Sequence, residues 1–232
     1  TKVRKYWDIK NNPSMQDKYL FKIEVKLIRK QLGPGKILDA GCGEGEGTLA
    51  YSKIKGVIIE GIDYSKTRLQ MAKRICPHVK FQQIDLLKKY KLDKYNYIIS
   101  QRFLINLKNW AQQRKVIRDL IALLKPNGKL ILLEGSKQGS IELNEFRKKL
   151  NLEPIPIRWH NQFIDDNNLL KEGFNLIDGL GGYFLLTRGI RPYFDKKLDW
   201  NCNFNRLASK INMDIKYSRL KLWIYEKNKR GK

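Results

Sequence analysis

The chain has 232 residues, 42% of them hydrophobic and 11% aromatic, which excludes a disordered or low-complexity protein. Lys and Arg total 47 against 23 Asp and Glu, a net charge of +24. This excess can mark a nucleic-acid or anionic-membrane partner, or it can reflect a composition rich in Lys, Ile and Asn, because the basic residues form no arginine-rich arm. The apolar runs are of strand length, so we expect no membrane span, no signal peptide and a cytoplasmic protein with free cysteines.

Hydrophobic spacing predicts a strict alternation of helices and strands in the first 134 residues. In chain order these are a helix over 15–32, a strand over 36–39, a helix over 48–55, a strand over 57–62, a helix over 66–75 capped by Ser65, strands over 79–82 and 95–100, a helix over 110–124 and a strand over 129–134. Such alternation at short spacing predicts a parallel sheet with helices on both faces.

The strict alternation of strands and helices ends after residue 134. A helix is predicted over 141–150 and strands over 174–178 and 219–226, with no full helix between the two strands, which suggests an antiparallel hairpin at the sheet edge. Residues 179–217 are interpreted as an insertion that covers the site, and residues 1–35 as an N-terminal helical cover. We therefore expect one domain over residues 1–232.

Residues 37–47, ILDAGCGEGEG, place a glycine loop between a strand and a helix. The spacing fails the dinucleotide fingerprint because Glu46 stands where the third glycine is required, and no Gly-Lys-Ser/Thr follows for a phosphate loop. Asp39, Glu44 and Glu46 would also repel a pyrophosphate, although Glu46 fits an ordinary acid of a first helical turn. S-adenosylmethionine (SAM) carries an ammonium and a sulfonium and no phosphate, so it suits an acidic glycine loop.

Acidic residues follow each of the first three predicted strands. Asp39 ends the first strand, and Asp63 ends the second, where an acid can accept from ribose hydroxyls. Asp85 follows the third strand, where a carboxylate could accept from an adenine amine. Each acid alone is weak evidence for a cofactor site. Three acids at the ends of successive strands, in register with one glycine loop, are much stronger evidence.

These motifs resemble those of the class I SAM-dependent methyltransferases. Residues 37–45 are similar to their first motif, GIDYS at 61–65 to their second-strand acid, QIDL at 83–86 to their adenine-contacting segment, and LKPNGK at 124–129 to the turn before their fifth strand. The resemblance implies an α/β, Rossmann-like, doubly wound and mostly parallel seven-stranded sheet with an antiparallel terminal strand. We expect SAM to be the cofactor and expect no metal. The residues expected to bind SAM are Tyr6, Trp7, Asp39, Ala40, Gly41, Cys42, Gly43, Asp63, Tyr64, Asp85, Leu86, Ser100 and Gln101.

The stretch after the fourth strand, RFLINL at 102–107, lacks the Asn/Asp-Pro-Pro-Tyr/Phe motif of amino-methylating members, which disfavours adenine-N6 methylation of DNA. Together with RWHN at 158–161 it resembles a subgroup of small, type 11-like methyltransferases, many of which occur in surface-polysaccharide or small-metabolite assembly. The resemblance implies an acceptor that is a small molecule or a glycan.

Candidate acceptor residues follow from this position in the fold. His160 is interpreted either as a general base for a hydroxyl acceptor or as a structural histidine packed under Trp159. Arg102, also taken as catalytic, and Arg158 could hold an anionic acceptor, or could form surface salt bridges. The full predicted set for the acceptor is Arg102, Glu134, Arg158, Trp159, Tyr183 and Arg188, and Arg191 and Tyr193 could add to the same anionic pocket.

The sequence thus predicts a SAM-dependent methyltransferase that O-methylates a sugar, a glycan precursor or a phosphorylated small metabolite. Methylation of RNA or another nucleic acid is the first alternative, because of the charge of +24. An inactive SAM-binding module of a larger assembly is the second. A nicotinamide oxidoreductase is disfavoured by the glycine spacing.

Overall fold

The computed structural model describes residues 2–8, 16–195, 197, 199–211 and 216–228. Seven strands form one sheet: β1 Gly35–Ala40, β2 Val57–Asp63, β3 Lys80–Gln83, β4 Tyr95–Gln101, β5 Leu124–Gly135, β6 Asn175–Gly179 and β7 Leu220–Glu226. Their order is β3-β2-β1-β4-β5-β7-β6. Only β7 runs antiparallel to its neighbours β5 and β6 among these strands, so the expected mostly parallel sheet with an antiparallel final strand is confirmed.

Helices connect the strands on both faces of the sheet. They are α1 Lys2–Trp7, α2 Lys18–Arg29, α3 Glu46–Ser52, α4 Lys66–Ile75, α5 Trp110–Ala122, α6 Lys137–Lys149, α7 Asp166–Lys171, α8 Gly181–Phe184, α9 Arg191–Phe194 and α10 Asn203–Ala208. Side-chain oxygens of Ser65, Asn109 and Ser136 accept backbone N–H groups at the starts of α4, α5 and α6. These caps fix the starts of the helices, since they satisfy donors that have no partner within the helix.

The core has two halves because side chains along a strand point alternately to opposite faces. Ile37 packs with Ile28 of α2 on one face, whereas its neighbour Leu38 packs with Val116 of α5 on the other. This burial on both faces places the helices and leaves only the carboxyl ends of the parallel strands free to form a site.

The C-terminal half departs from the prediction. The expectation of no full helix between β6 and β7 is wrong, because α8, a π-helical segment over Leu185–Ile190 and α9 form one continuous helical run. Its glycines and Pro192 give the run low helix propensity, but burial of Tyr183 and Phe184 against the core overrides that propensity.

Several predicted boundaries also shift. The first long helix begins at Lys18 because the Asp17 carboxylate caps it by accepting the Leu20 N–H at 3.0 Å. The helix predicted over 141–150 begins four residues earlier, after the Ser136 cap. The predicted cover over 1–35 and the predicted insertion over 179–217 include residues 1, 9–15, 196, 198 and 212–215, which lie outside the described residues. Across the part of the chain that the structure describes, no helix combines the length and apolar character required to cross a bilayer.

Glu134, near the end of β5, holds the turn that follows β4. Its Oε1 accepts from Ser100 Oγ at 2.6 Å and from the N–H groups of Phe103 and Leu104 at 3.1 and 2.9 Å, and its Oε2 accepts from the Ile105 N–H at 3.3 Å. Burial raises the pKa of this carboxyl to about 7, and the four donors oppose that rise. The prediction of Glu134 as an acceptor-binding residue is therefore corrected, because its carboxylate is 1% exposed and used by the fold.

We expect Glu134→Ala to lower the free energy of unfolding by about 2–4 kcal/mol, because three buried backbone N–H groups and the Ser100 hydroxyl lose their acceptor. Urea denaturation followed by circular dichroism measures the change. Glu145→Ala, which removes an exposed carboxylate on α6, is the matched control and should shift stability by less than about 0.5 kcal/mol. Equal stabilities of the two variants would contradict the anchoring role.

Candidate active site

A cavity of about 1340 Å³ lies at the carboxyl ends of β1, β2 and β4. Most of the residues predicted for cofactor and acceptor line it together. They are Trp7, Asp39, Gly41, Cys42, Gly43, Asp63, Tyr64, Asp85, Leu86, Gln101, Arg102, Arg158, Trp159, His160 and Arg188. The chain thus brings residues from its first 10 positions and from beyond position 180 to one site.

The glycine loop after β1 has the open backbone that close approach of a ligand requires. Gly43 has a φ of 54°, and a Cβ added there would meet no atom within 4 Å. Gly41 has a φ of 76°, and a Cβ there would lie 2.4 Å from the Phe103 ring, so only glycine fits. Cys42 between them is a free thiol whose pKa burial raises well above its usual range, which argues against a nucleophile.

Two buried carboxylates flank this loop. Asp63 accepts the Gly43 N–H at 3.0 Å and the Ser65 N–H at 2.8 Å, and Asp39 accepts from Thr48 Oγ1 at 2.6 Å. Burial raises the pKa of both carboxyls, that of Asp39 to about 6. A cation beside them would relieve this desolvation, so the loop fits a ligand with an ammonium and a sulfonium better than one with phosphates.

Asp85 is held by α1 as well as by its own loop. Its Oδ2 forms a salt bridge with Arg4 at 2.6 Å, and its Oδ1 accepts the Leu87 N–H at 3.1 Å. The Tyr64 hydroxyl donates to the Arg4 carbonyl at 3.0 Å. The predicted adenine-contacting acid therefore lies under the first helix, and α1 forms part of the wall of the cavity.

The rest of α1 contacts the acceptor side. Trp7 Nε1 donates to Asn106 Oδ1 at 3.0 Å, and the Trp7 carbonyl accepts from Arg68 Nε at 2.8 Å. Tyr6 does not line the cavity itself, but its ring stacks on the imidazole of His160 with centroids 4.4 Å apart. The predicted position of both aromatic residues over the site agrees with this arrangement, and their contact with a cofactor stays a prediction.

His160 is 5% exposed and lies among the rings of Tyr6, Trp7 and Trp159. Burial, and then the positive charge of Arg158, lower its pKa below the usual value of 6.5. Its Nδ1 is buried and has no hydrogen-bond partner within the described residues. The histidine is both packed and cavity-lining, so both sequence-based interpretations stay open at the level of geometry.

Four other predicted residues do not lie where their roles require. Ser100 is fully buried against Glu134, and Ala40 is buried within β1, so neither lines the cavity. The Tyr183 hydroxyl donates to both Asp17 oxygens, at 2.8 and 3.0 Å, and its ring lies outside the cavity. Tyr193 is 57% exposed and also lies outside it. For Ser100, Ala40 and Tyr183 the physical reason is that the side chain is buried within the fold, and the hydroxyls of Ser100 and Tyr183 are already hydrogen-bonded there.

Arg102 lines the cavity but is already paired. Its Nη2 forms a salt bridge with Glu24, a fully buried carboxylate of α2 that also accepts from Gln101 Nε2 at 2.7 Å. This ion pair agrees with the salt-bridge alternative, whereas Arg102 Nε is buried with no hydrogen-bond partner within the described residues, so the anion-binding and catalytic roles of Arg102 stay predictions. Arg188 is likewise paired, with Asp17 at 2.6 Å.

Several polar residues of the cavity wall carry no motif in the sequence. Arg147 lies on the amphipathic helix α6, and Arg219 immediately precedes β7. Each reaches the site only through tertiary packing. Among the described residues, no cluster of three or more His, Cys, Asp or Glu side chains could hold a metal ion.

A protein family described as "Methyltransferase domain" matches residues 34–172. The chain is similar to the ubiquinone/menaquinone biosynthesis C-methyltransferase UbiE of Azotobacter vinelandii, with 27% identity over 145 residues that cover 59% of this chain and 55% of the relative. It is also similar to the demethylmenaquinone methyltransferase of Chlorobaculum parvum, with 27% identity over 139 residues and the same coverage. The alignments thus span about half the length of these relatives.

Solved structures share the fold. The N-methyltransferase NodS from Bradyrhizobium japonicum WM9, in complex with S-adenosyl-L-homocysteine (SAH), aligns with a TM-score of 0.57 and 15% identity over 76% of this chain and 86% of that one. TehB from Haemophilus influenzae aligns with a TM-score of 0.56 and 14% identity over 88% and 62%. Because the family match covers more than half of the chain, the chain belongs to the methyltransferase domain family, and its sheet has the fold of the class I SAM-dependent methyltransferases.

Proposed function

We propose that the chain transfers a methyl group from SAM to a hydroxyl oxygen of a sugar, a glycan precursor or a phosphorylated small metabolite. One observation carries the proposal: His160, a buried imidazole with a free Nδ1, lines the same cavity as the glycine loop and Asp63. A base on the acceptor side and a cofactor loop on the other side of one cavity are what methylation of a weakly acidic hydroxyl requires.

The cofactor would lie along the glycine loop. Asp63 would accept from the ribose hydroxyls, because each of its oxygens has a lone pair beyond the one used by a backbone N–H. Asp85 would accept from the adenine amine beneath Arg4, and Asp39 would favour the positively charged end of the ligand. When bound, SAM supplies an electrophilic methyl group on its sulfonium.

The remaining residues would prepare the acceptor. A lowered pKa keeps His160 neutral at neutral pH, so it can take the proton of the attacking hydroxyl. The rings of Tyr6, Trp7 and Trp159 around it exclude water from the base and hold the imidazole in place. The positive charge of Arg158 opposes protonation of His160 in the ground state and favours an anionic acceptor beside it.

A carbon acceptor is the second candidate, because the Azotobacter relative is named a C-methyltransferase. A buried neutral histidine could also take a proton from an activated carbon. Analysis of the methylated product by mass spectrometry and NMR separates the two candidates, since an O-methyl and a C-methyl group differ in carbon chemical shift. Nucleic-acid methylation is separated from both by salt, because binding to RNA weakens steeply as salt rises.

We expect Asp63→Asn to weaken SAH binding at least about tenfold, because one acceptor oxygen beside Gly43 and Ser65 becomes a donor. Calorimetric titration of SAH measures the loss. Asp119→Asn, at a partly exposed position of α5, is the control and should bind SAH as the parent chain does. Unchanged affinity in Asp63→Asn would remove Asp63 from the cofactor site.

We expect His160→Gln to lower kcat at least about 100-fold while SAH affinity changes less than about threefold, because general-base catalysis contributes factors of this size. His78→Gln, which changes an exposed histidine of the turn before β3, is the matched control and should retain full turnover. Turnover of His160→Gln close to that of the control would restrict His160 to packing.

The pH dependence gives an independent test. A base must be deprotonated to act, and the pKa of His160 lies below 6.5, so kcat should rise with pH, reach half of its plateau below pH 6.5 and stay flat through neutral pH. Initial rates in buffers of constant ionic strength between about pH 5 and 8 measure the profile. A half-maximum above pH 7 would show that another group provides the base.

A further inference from the structure

Four arginines line the acceptor side of the cavity and are here named the arginine cluster: Arg147, Arg158, Arg188 and Arg219. They come from four separate places in the chain, namely α6, the segment before α7, the π-helical segment and the residue before β7. Three of them are at least 91% buried, and Arg158 is exposed at the rim. The cluster therefore concentrates positive charge inside a concave and largely desolvated surface.

Backbone carbonyls fix the orientation of the buried guanidinium groups. Arg147 Nε donates to the Glu153 carbonyl at 2.8 Å, and its Nη1 donates to the carbonyl of Arg188. Arg219 Nη2 donates to the Pro156 carbonyl at 3.1 Å, and its guanidinium lies over the Phe163 ring at 5.4 Å. Neutral carbonyls orient an arginine without neutralising it, so the charge of these two side chains stays available to a ligand.

The charge balance of the cluster is strongly positive. Asp17 pairs with Arg188, but within the described ranges no carboxylate forms a salt bridge with Arg147, Arg158 or Arg219. Glu153 is exposed, and its carboxylate acts on Arg147 through charge at a distance and not through a salt bridge. Burial, and then repulsion by the other three arginines, lower the pKa of Arg219 to about 10.

Uncompensated buried charge costs stability, and an anion that enters the cavity would remove that cost. Guanidinium forks match the oxygens of phosphate in geometry, and several of them suit a group with more than one negative charge better than a single carboxylate. Three of the four guanidinium groups are buried, which fits an end group of a small molecule better than a polymer backbone, since a polymer backbone needs an open basic surface.

We propose that the arginine cluster is the subsite that binds a phosphoryl group of the methyl acceptor, either a phosphate monoester or a diphosphate. The inference rests on the proposed function, because the subsite serves an acceptor. Arg158 stands two residues before His160, and both line the cavity. A phosphoryl group held by the cluster would therefore place the neighbouring part of the same molecule beside the base.

Calorimetric titration of the whole chain with pyrophosphate and with glucose 6-phosphate, at constant ionic strength set by sodium chloride, tests the proposal. The variants are Arg158→Gln, Arg219→Gln and, as the matched control, Arg74→Gln. Arg74 is an exposed arginine in the last turn of α4 that does not line the cavity, so the control removes the same charge elsewhere. Because Arg158 is exposed, its variant keeps the test valid even if Arg219→Gln fails to fold.

We expect the parent chain and Arg74→Gln to bind at least one of the two probes with equal affinity, and Arg158→Gln and Arg219→Gln to bind it at least about tenfold more weakly. The probe bound more tightly identifies the monoester or the diphosphate form. Equal affinities in Arg158→Gln and Arg74→Gln, or no binding of either probe by the parent chain, would overturn the subsite.

Titration of the same preparations with SAH separates this inference from the proposed function. SAH binding without binding of either probe overturns the subsite and leaves the methyltransferase proposal standing, whereas probe binding that depends on Arg158 without SAH binding supports the subsite and overturns the cofactor site. A last titration of the same preparations uses a short RNA oligonucleotide. RNA binding that depends on Arg158 and that pyrophosphate does not displace would overturn the small-molecule subsite in favour of a nucleic acid.

Discussion

Buried carboxylates hold the loops that leave the carboxyl ends of the parallel strands, and the site depends on them. A parallel sheet brings these loops to one edge, where their backbone N–H groups need acceptors that water does not provide. Asp63 serves the loop after β1, and Glu134 serves the turn after β4. Glu24, from α2, pairs with Arg102 and thereby joins the helical layer to that same turn. Asp63, which also lines the cavity, therefore both holds the glycine loop and adds negative charge beside it.

The two ends of the cavity carry opposite charge. Asp39 and Asp63 give the end at the glycine loop a negative potential, and the arginine cluster gives the other end a positive one. Such a division suits a cationic cofactor and an anionic acceptor, since each would find its complement only at its own end. Helix α1 joins the two ends, because Arg4 pairs with Asp85 and Tyr6 stacks on His160. A movement of α1 would therefore act on the cofactor and acceptor sides together.

The sequence predicted the sheet and the glycine loop because their signals are local. Short apolar runs bounded by glycine and proline define β1 to β5, and a strand followed by glycines needs no knowledge of tertiary structure. The roles of single polar residues depend on distant partners instead. Arg102 pairs with Glu24 78 positions away, and Tyr183 with Asp17 166 positions away, so no local pattern could show that both were occupied. The helical run after β6 was missed for a related reason, since burial stabilises it against its own composition.

The net charge of +24 illustrates the same limit. Composition alone treats every basic residue alike, and it left open a nucleic-acid partner, a membrane partner or no partner. Location distinguishes them: an exposed arginine such as Arg74 on α4 is screened by salt and solvent, whereas Arg219 is fixed by a carbonyl within a desolvated cavity. In the proposed subsite, the charge that the fold keeps buried without a counterion would select the ligand, because an anion that enters offsets its cost to stability. The specificity of this methyltransferase should therefore follow from a few buried arginines, and the large surplus at the surface should govern how fast an anionic acceptor arrives.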